Sequence, residues 1–166
     1  MFRRHLSTVH SKITSPGVVY LRGMQNESRQ APKPVGAYPF ARIAGNLLFL
    51  SGVGPRVAGS DGHDSGVPGL ALDHNGNFVE FDFEAQVHSV FANVKAILEA
   101  NGSSWNELID ITVFLVHMNR DFKTFNRIYA EYFPDPATQP CRTTIEINRL
   151  PTPIAIELKC VATVGA

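Results

Sequence analysis

The stretch from Gln139 to Cys160 restricts this chain more than any other, because its side chains alternate with period two on both sides of a proline-bearing turn. Arg142, Thr144 and Glu146 fall on one face of the first expected strand, with Ile145 and Ile147 on the other. In the second strand, Glu157 and Lys159 oppose Ile156, Leu158 and Cys160. One face of this expected hairpin can cover a core. The other carries a guanidinium and a carboxylate on rigid strands, the setting in which a small-molecule site is held best. Arginine grips a carboxylate through a planar fork, and a carboxylate can take or return a proton. The same two charges also fit an ordinary cross-strand pair on a wetted face, worth about 0.2–1 kcal/mol. Alternation alone does not separate these readings.

A chain of 166 residues is expected to form one folded domain with a substantial core. Its composition, 44% hydrophobic and 18% charged, excludes a disordered or coiled-coil chain. Fifteen basic residues balance fifteen acidic ones, so no general attraction to nucleic acid or anionic membrane follows. No apolar run approaches the roughly 18–20 residues of a membrane span. Cys141 and Cys160 are too few for a disulfide framework, and both are expected to be buried thiols in strands. The expected location is therefore cytoplasmic.

Charge is unevenly spread. Residues 1–30 hold Arg3, Arg4, Lys12, Arg22 and Arg29 against Glu27, so the remainder carries 15 − 5 = 10 basic and 15 − 1 = 14 acidic residues, a net of −4. This basic end reads as a mitochondrial transit peptide, a tail, or an extension upstream of a start at Met24. Residues 31–166 form the expected domain.

The periodicity predicts a first hairpin, 40–44 and 47–51, turning at Gly45-Asn46. Residues 52–77, rich in Gly, Asp and Pro, are expected to be a loop with a turn at Asn75-Gly76. A helix over 83–101 buries Val87, Val90, Phe91, Val94, Ile97 and Leu98 and ends at Asn101-Gly102. Ser104 and Glu107 resemble a capping box. Residues 109–117 suit a buried strand, and 121–133 a second helix with Phe122, Phe125, Tyr129 and Tyr132 on one side. The order β-β-α-β-α-β-β implies two helices against one face of a mixed sheet. The face left open predicts a symmetric oligomer with sites near subunit boundaries.

Other constellations carry less. His63, Asp64, Asp73 and His74 lack metal-ligand spacing, and Asp73 to Asn77 reads as a turn rather than a calcium loop. His88 and His117 fit a helix surface and a strand end. Ser51-Gly52-Val53-Gly54 lacks the Lys-Ser/Thr of a phosphate loop, and Cys141 has no indicated base. Trp105 is expected at a helix–strand junction.

Several segments in order resemble the Rid family, the YjgF-type imine deaminases. They are Val35-Gly36-Ala37-Tyr38, Leu50-Ser51-Gly52, Asn93 to Glu99, Val113-Phe114-Leu115, and Phe125-Asn126 with Tyr129, Tyr132 and Phe133. Pro140-Cys141-Arg142, Arg149-Leu150-Pro151 and Ile156-Glu157 complete the match, which covers residues 33–164. Within the family the chain is most similar to the 2-aminomuconate deaminases, through Lys33 to Pro39, Ser51 to Arg56, the 53–80 insertion and Thr152 to Cys160.

The resemblance implies a chorismate-mutase-like α+β subunit, a homotrimer with sites between subunits, and no metal or organic cofactor. It implies that Arg142 grips the substrate carboxylate, Glu157 activates water, Tyr38 closes the pocket across the interface, and Gly52 and Thr144 add backbone contacts. Thr144 stands where many members carry cysteine, and Cys141 where many carry alanine. The implied reaction is hydrolytic deamination of 2-aminomuconate or a close enamine or imine acid. The alternatives are a broad 2-imino acid deaminase and a non-catalytic ligand binder. Arg56 is a candidate for a second carboxylate.

Overall fold

The computed structural model describes residues 31–60 and 66–165. The basic amino end, His63 and Asp64 lie outside them. β1 (Ala41–Ala44) and β2 (Leu47–Leu50) form the expected hairpin. Gly45 takes φ 63°, as the first central position of a two-residue hairpin turn requires. The region expected to be loop contains a second hairpin, β3 (Leu70–Leu72) and β4 (Phe78–Phe81), separate from the main sheet. Asp73 closes its turn by accepting from the backbone N–H of Asn75 and Asn77 at 2.8 and 2.9 Å. Strands this short escape a period-two reading.

Helix α1 (Phe83–Ala100) starts at Asp82, whose carboxylate accepts from the Ala85 N–H. It ends with Gly102 at φ 73° and the paired bonds Ser103 N to Leu98 O and Gly102 N to Glu99 O, a Schellman closure. The expected capping box does not form. Ser104 makes no side-chain cap bond, and the Glu107 carboxylate accepts from the Thr163 hydroxyl instead. β5 (Leu108–Leu115) follows, then α2 (Met118–Tyr132), which begins three residues before its expected start because His117 caps it through Nδ1. Phe125 and Tyr129 face inward, but Phe122 stays 36% exposed and is not part of that side. Trp105 stacks on Phe133 with centroids 4.8 Å apart, at the expected junction.

β6 (Cys141–Glu146) and β7 (Ile156–Thr163) complete a five-stranded sheet ordered β1-β2-β7-β5-β6. The expected closing hairpin is therefore overturned. β5 lies between the two strands, parallel to β6 and antiparallel to β7, and residues 147–155 cross the end of β5. Both flanking strands gain a full ladder with β5, which a hairpin pairing would forgo. β6 becomes an edge strand, which leaves Cys141 exposed while Cys160 is buried.

Both helices cover one face of this mixed sheet, as expected for the α+β class. Leu48, Ile111, Val113, Leu115, Ile156, Leu158 and Cys160 form the strand side of the core, all fully buried. A second small cluster joins Val67 of the insertion to Leu150 and Ile154 of the β6–β7 crossover. Among the described residues no helix is long and apolar enough to cross a membrane.

Candidate active site

The uncovered face of the sheet opens into a cavity of about 580 Å³ lined by Tyr38, Gly52, Arg56 and Glu157. Alternation puts the Glu157 carboxylate there, since its neighbours Ile156 and Leu158 are committed to the core. Just past β2 the chain bends to pair with β7, with Val53 N to Leu158 O at 2.8 Å and the reciprocal bond at 2.9 Å. That bridge lays Gly52 directly against the acid. A Cβ at position 52 would sit 2.3 Å from Glu157 Oε1, so only glycine admits this approach without displacing the carboxylate. Burial pushes the Glu157 carboxyl above its ordinary value, toward the range where an acid can both accept and return a proton.

Two further contacts close the wall. Ser51 Oγ donates to the Pro39 carbonyl at 2.6 Å, fixing the segment that carries Tyr38. Arg56 Nη2 donates to the Lys33 carbonyl at 2.6 Å, tying the same lead-in to the loop after β2. Tyr38 and Glu157 thus line one cavity of the same chain.

Helix α1 braces this wall from behind through polar residues at i, i+3 and i+7. Gln86 Oε1 accepts from the Ala155 N–H at 2.9 Å, Ser89 Oγ donates to the Pro55 carbonyl at 2.6 Å, and Asn93 Nδ2 donates to the carbonyls of Gly54 and Arg56 at 2.9 and 2.7 Å. Gln86 and Asn93 are buried, so losing these bonds would strand desolvated backbone groups. Sequence reasoning missed the three as a set. Their spacing beside the apolar stripe was the available signal.

Arg142 and Thr144 lie elsewhere. The register pairs Ile111 with both Arg142 and Cys160, placing Arg142 on the helix-covered side of the sheet. Glu157 pairs with Phe114 on the opposite side. Within one chain the two groups do not converge, which overturns the expectation that their strands share one polar face.

Helix α2 gives the polar face of β6 a different use. The Arg142 guanidinium lies 4.5 Å from the Tyr129 ring centroid and 5.5 Å from that of Phe125, a cation–π arrangement. Glu146 Oε2 accepts from the Met118 N–H at 2.5 Å, at the start of the helix. Two hydroxyl oxygens here, Tyr129 Oη and Thr144 Oγ1, are buried with no hydrogen-bond partner. Burial pushes the Tyr129 phenol up to about 12, which keeps it protonated.

The cavity also holds Lys33, Arg42 and Lys159, none of them singled out from sequence as site residues. Lys159 was legible, standing two residues past Glu157 on the same strand face. Among the described residues no cluster of histidine, cysteine and acidic side chains could hold a metal ion.

The Endoribonuclease L-PSP family model matches residues 28–164. A RutC family protein of Pyrococcus horikoshii is 39% identical over 138 residues, spanning 81% of this chain and 93% of its own. Reactive Intermediate Deaminase A, chloroplastic, of Arabidopsis thaliana is 37% identical over 136 residues, spanning 82% of this chain and 63% of its own. The crystal structure of E. coli TdcF with bound serine superposes with a TM-score of 0.64 at 28% identity, covering 82% of this chain and 95% of that one. The chain therefore belongs to the Endoribonuclease L-PSP family, the Rid/YjgF group that its motifs resemble.

Proposed function

We propose that this protein hydrolyses 2-imino or enamine carboxylic acids to 2-oxo acids, releasing ammonia, at a site completed between copies of the chain. The observation that carries this is the Glu157 carboxylate, desolvated and pressed against Gly52 inside a cavity beside Tyr38. Relatives named as reactive intermediate deaminases support the broad 2-imino acid reading over a 2-aminomuconate-restricted one. The serine held by TdcF is consistent with a small amino-acid-like ligand.

In this mechanism Glu157 takes a proton from water as the oxygen attacks the imine carbon. The nitrogen collects protons, the C–N bond of the resulting carbinolamine breaks, and ammonia leaves a 2-oxo acid. No cofactor is needed for that balance. Arg142 grips the substrate carboxylate, and a charge-assisted contact of this kind contributes about 1.5–3 kcal/mol. Gly52 and Thr144 add backbone contacts, and Tyr38 closes the pocket.

Because Arg142 and Glu157 of one chain face opposite ways, the reading requires the β6 edge of one copy to abut the open face of another. A homotrimer satisfies that requirement for every copy at once. The family description names an endoribonuclease, but the chain's balanced charge favours a small-molecule site.

The test is ammonia release from freshly generated 2-imino acids and from 2-aminomuconate, for wild type, Arg142→Ala and Glu157→Gln. Each variant alone is expected to be inactive, and refolding the two together should restore part of the activity through mixed sites. Ligand binding without ammonia release would establish the non-catalytic alternative. Mixtures that stay inactive would end the shared-site reading.

A further inference from the structure

Several arginines of this chain commit their N–H donors to protein oxygens. Arg120 sets its fork on the Asp121 carboxylate at 2.7 and 2.8 Å, Arg127 bonds Glu84 and Glu131, and Arg56 donates to the Lys33 carbonyl. Arg142 is held differently. Its guanidinium lies over rings, 4.5 Å from the Tyr129 centroid and 5.5 Å from that of Phe125. Among the described residues it makes no hydrogen bond or ion pair. A π-face attracts a cation without taking any of its N–H donors. All of them therefore stay available to a ligand, on a side chain that is itself exposed.

The rings form a fixed shelf. Phe125 and Tyr129 stand one turn apart on α2, so one face of the helix carries both. Against Tyr129 pack Phe133 at 4.5 Å and Phe125 at 5.6 Å, and Phe133 in turn stacks on Trp105. Phe125 and Phe133 are 0% and 3% exposed, so the shelf cannot turn without opening the core. Farther along β6, Glu146 accepts from the Met118 N–H and ties the strand to the start of the same helix.

The ring rather than the hydroxyl makes the contact. Burial pushes the Tyr129 phenol up to about 12, so no phenolate is present to pair with the guanidinium. The hydroxyl oxygen is buried with no hydrogen-bond partner. A plain phenyl ring would offer the same π-face without stranding that oxygen.

We propose that Tyr129 is a positioning residue for Arg142: its ring, backed by Phe133 and Phe125, holds the guanidinium in place and leaves the fork open for a ligand carboxylate. A long arginine side chain gives up rotamer freedom when it grips a ligand. A shelf that removes part of this freedom in advance lowers the cost of binding. The proposal rests on the deaminase reading for calling the ligand a substrate, but the grip itself needs no reaction.

The test follows 2-oxobutanoate, an unreactive carboxylate of the product class, by titration calorimetry on the full chain. It adds KM and kcat for ammonia release from freshly generated 2-imino acids. Arg142→Ala should abolish binding, and Tyr129→Phe should stay within about twofold of wild type. Tyr129→Leu should weaken binding about fivefold, the order that a cation–π contact supplies. KM should rise by the same factor with kcat nearly unchanged, as for lost ground-state binding.

Leucine also disturbs the aromatic packing, so a second series keeps the shape. Tyr129→Phe carrying one, two or three ring fluorines draws charge off the π-face. Affinity should fall with each fluorine while the denaturation midpoint stays level, a grading that a purely structural ring would not show. No binding to wild type, binding that survives Arg142→Ala, a flat fluorine series, or Tyr129→Phe as weak as Tyr129→Leu would each overturn the proposal. Failure of the deaminase reading looks different: no ammonia from any imino acid, with the fluorine series still grading 2-oxobutanoate affinity.

Discussion

On the helix side of the sheet, Leu48, Ile111, Val113, Ile156 and Leu158 are excluded from water, whereas on the far side Phe49 and Ile145 keep 41% and 39% of their surface exposed. The same strands make both faces, and consecutive residues serve opposite ends. Leu158 belongs to the core, while its neighbours Glu157 and Lys159 line the cavity. Alternation lets a strand hold a functional group rigidly without spending that group on stability. The two faces should therefore fail separately when perturbed.

The largest effect expected is on the covered face. Leu158→Ala should lower unfolding free energy by about 2–5 kcal/mol in denaturant titration. Lys159→Ala, one residue on and on the open face, should stay within about 0.5 kcal/mol. Equal losses would break the comparison. Next in size is Gly52→Ala, whose Cβ would displace the Glu157 carboxylate. Misplacing a catalytic group by about an ångström costs on the order of 100-fold in rate. Ammonia release should fall that far with little change in denaturation midpoint.

Asn93→Ala sharpens the comparison from behind the cavity wall. It leaves the Gly54 and Arg56 carbonyls without their donor, a cost of about 1–3 kcal/mol. Unlike Leu158→Ala, it should also weaken turnover, because it loosens the loop that carries Arg56.

The smallest effect is a pH trend. The Glu157 carboxyl is raised in the folded state above 4.5, so between the two values the folded chain holds more protons than the unfolded one. Its contribution to stability is full below the unfolded value and is lost as pH rises through the folded value. Glu157→Gln should therefore gain stability relative to wild type as pH increases from 4.5 toward neutrality. A difference independent of pH would show that the acid is not desolvated.

Much of the frame was legible because it is local. The spacing of Val87, Val90, Phe91, Val94, Ile97 and Leu98 reports a buried helix face whatever the helix packs against. Gly45 and Gly102 mark turns through backbone conformations that other residues rarely adopt. The alternation of β7 placed Glu157 and Lys159 together. The insertion was opaque because β3 and β4 are too short to show a period.

What the order of residues determined by itself is which side chains share a face of one element, since helix and strand repeats are properties of the local backbone. What only the tertiary structure decided is which faces meet. Strand partners are chosen by long-range ladders and burial, and inserting β5 between β6 and β7 turned the Arg142 face toward α2 and the Glu157 face away from it. Two patterns that alternate alike carry no record of the strand that comes between them.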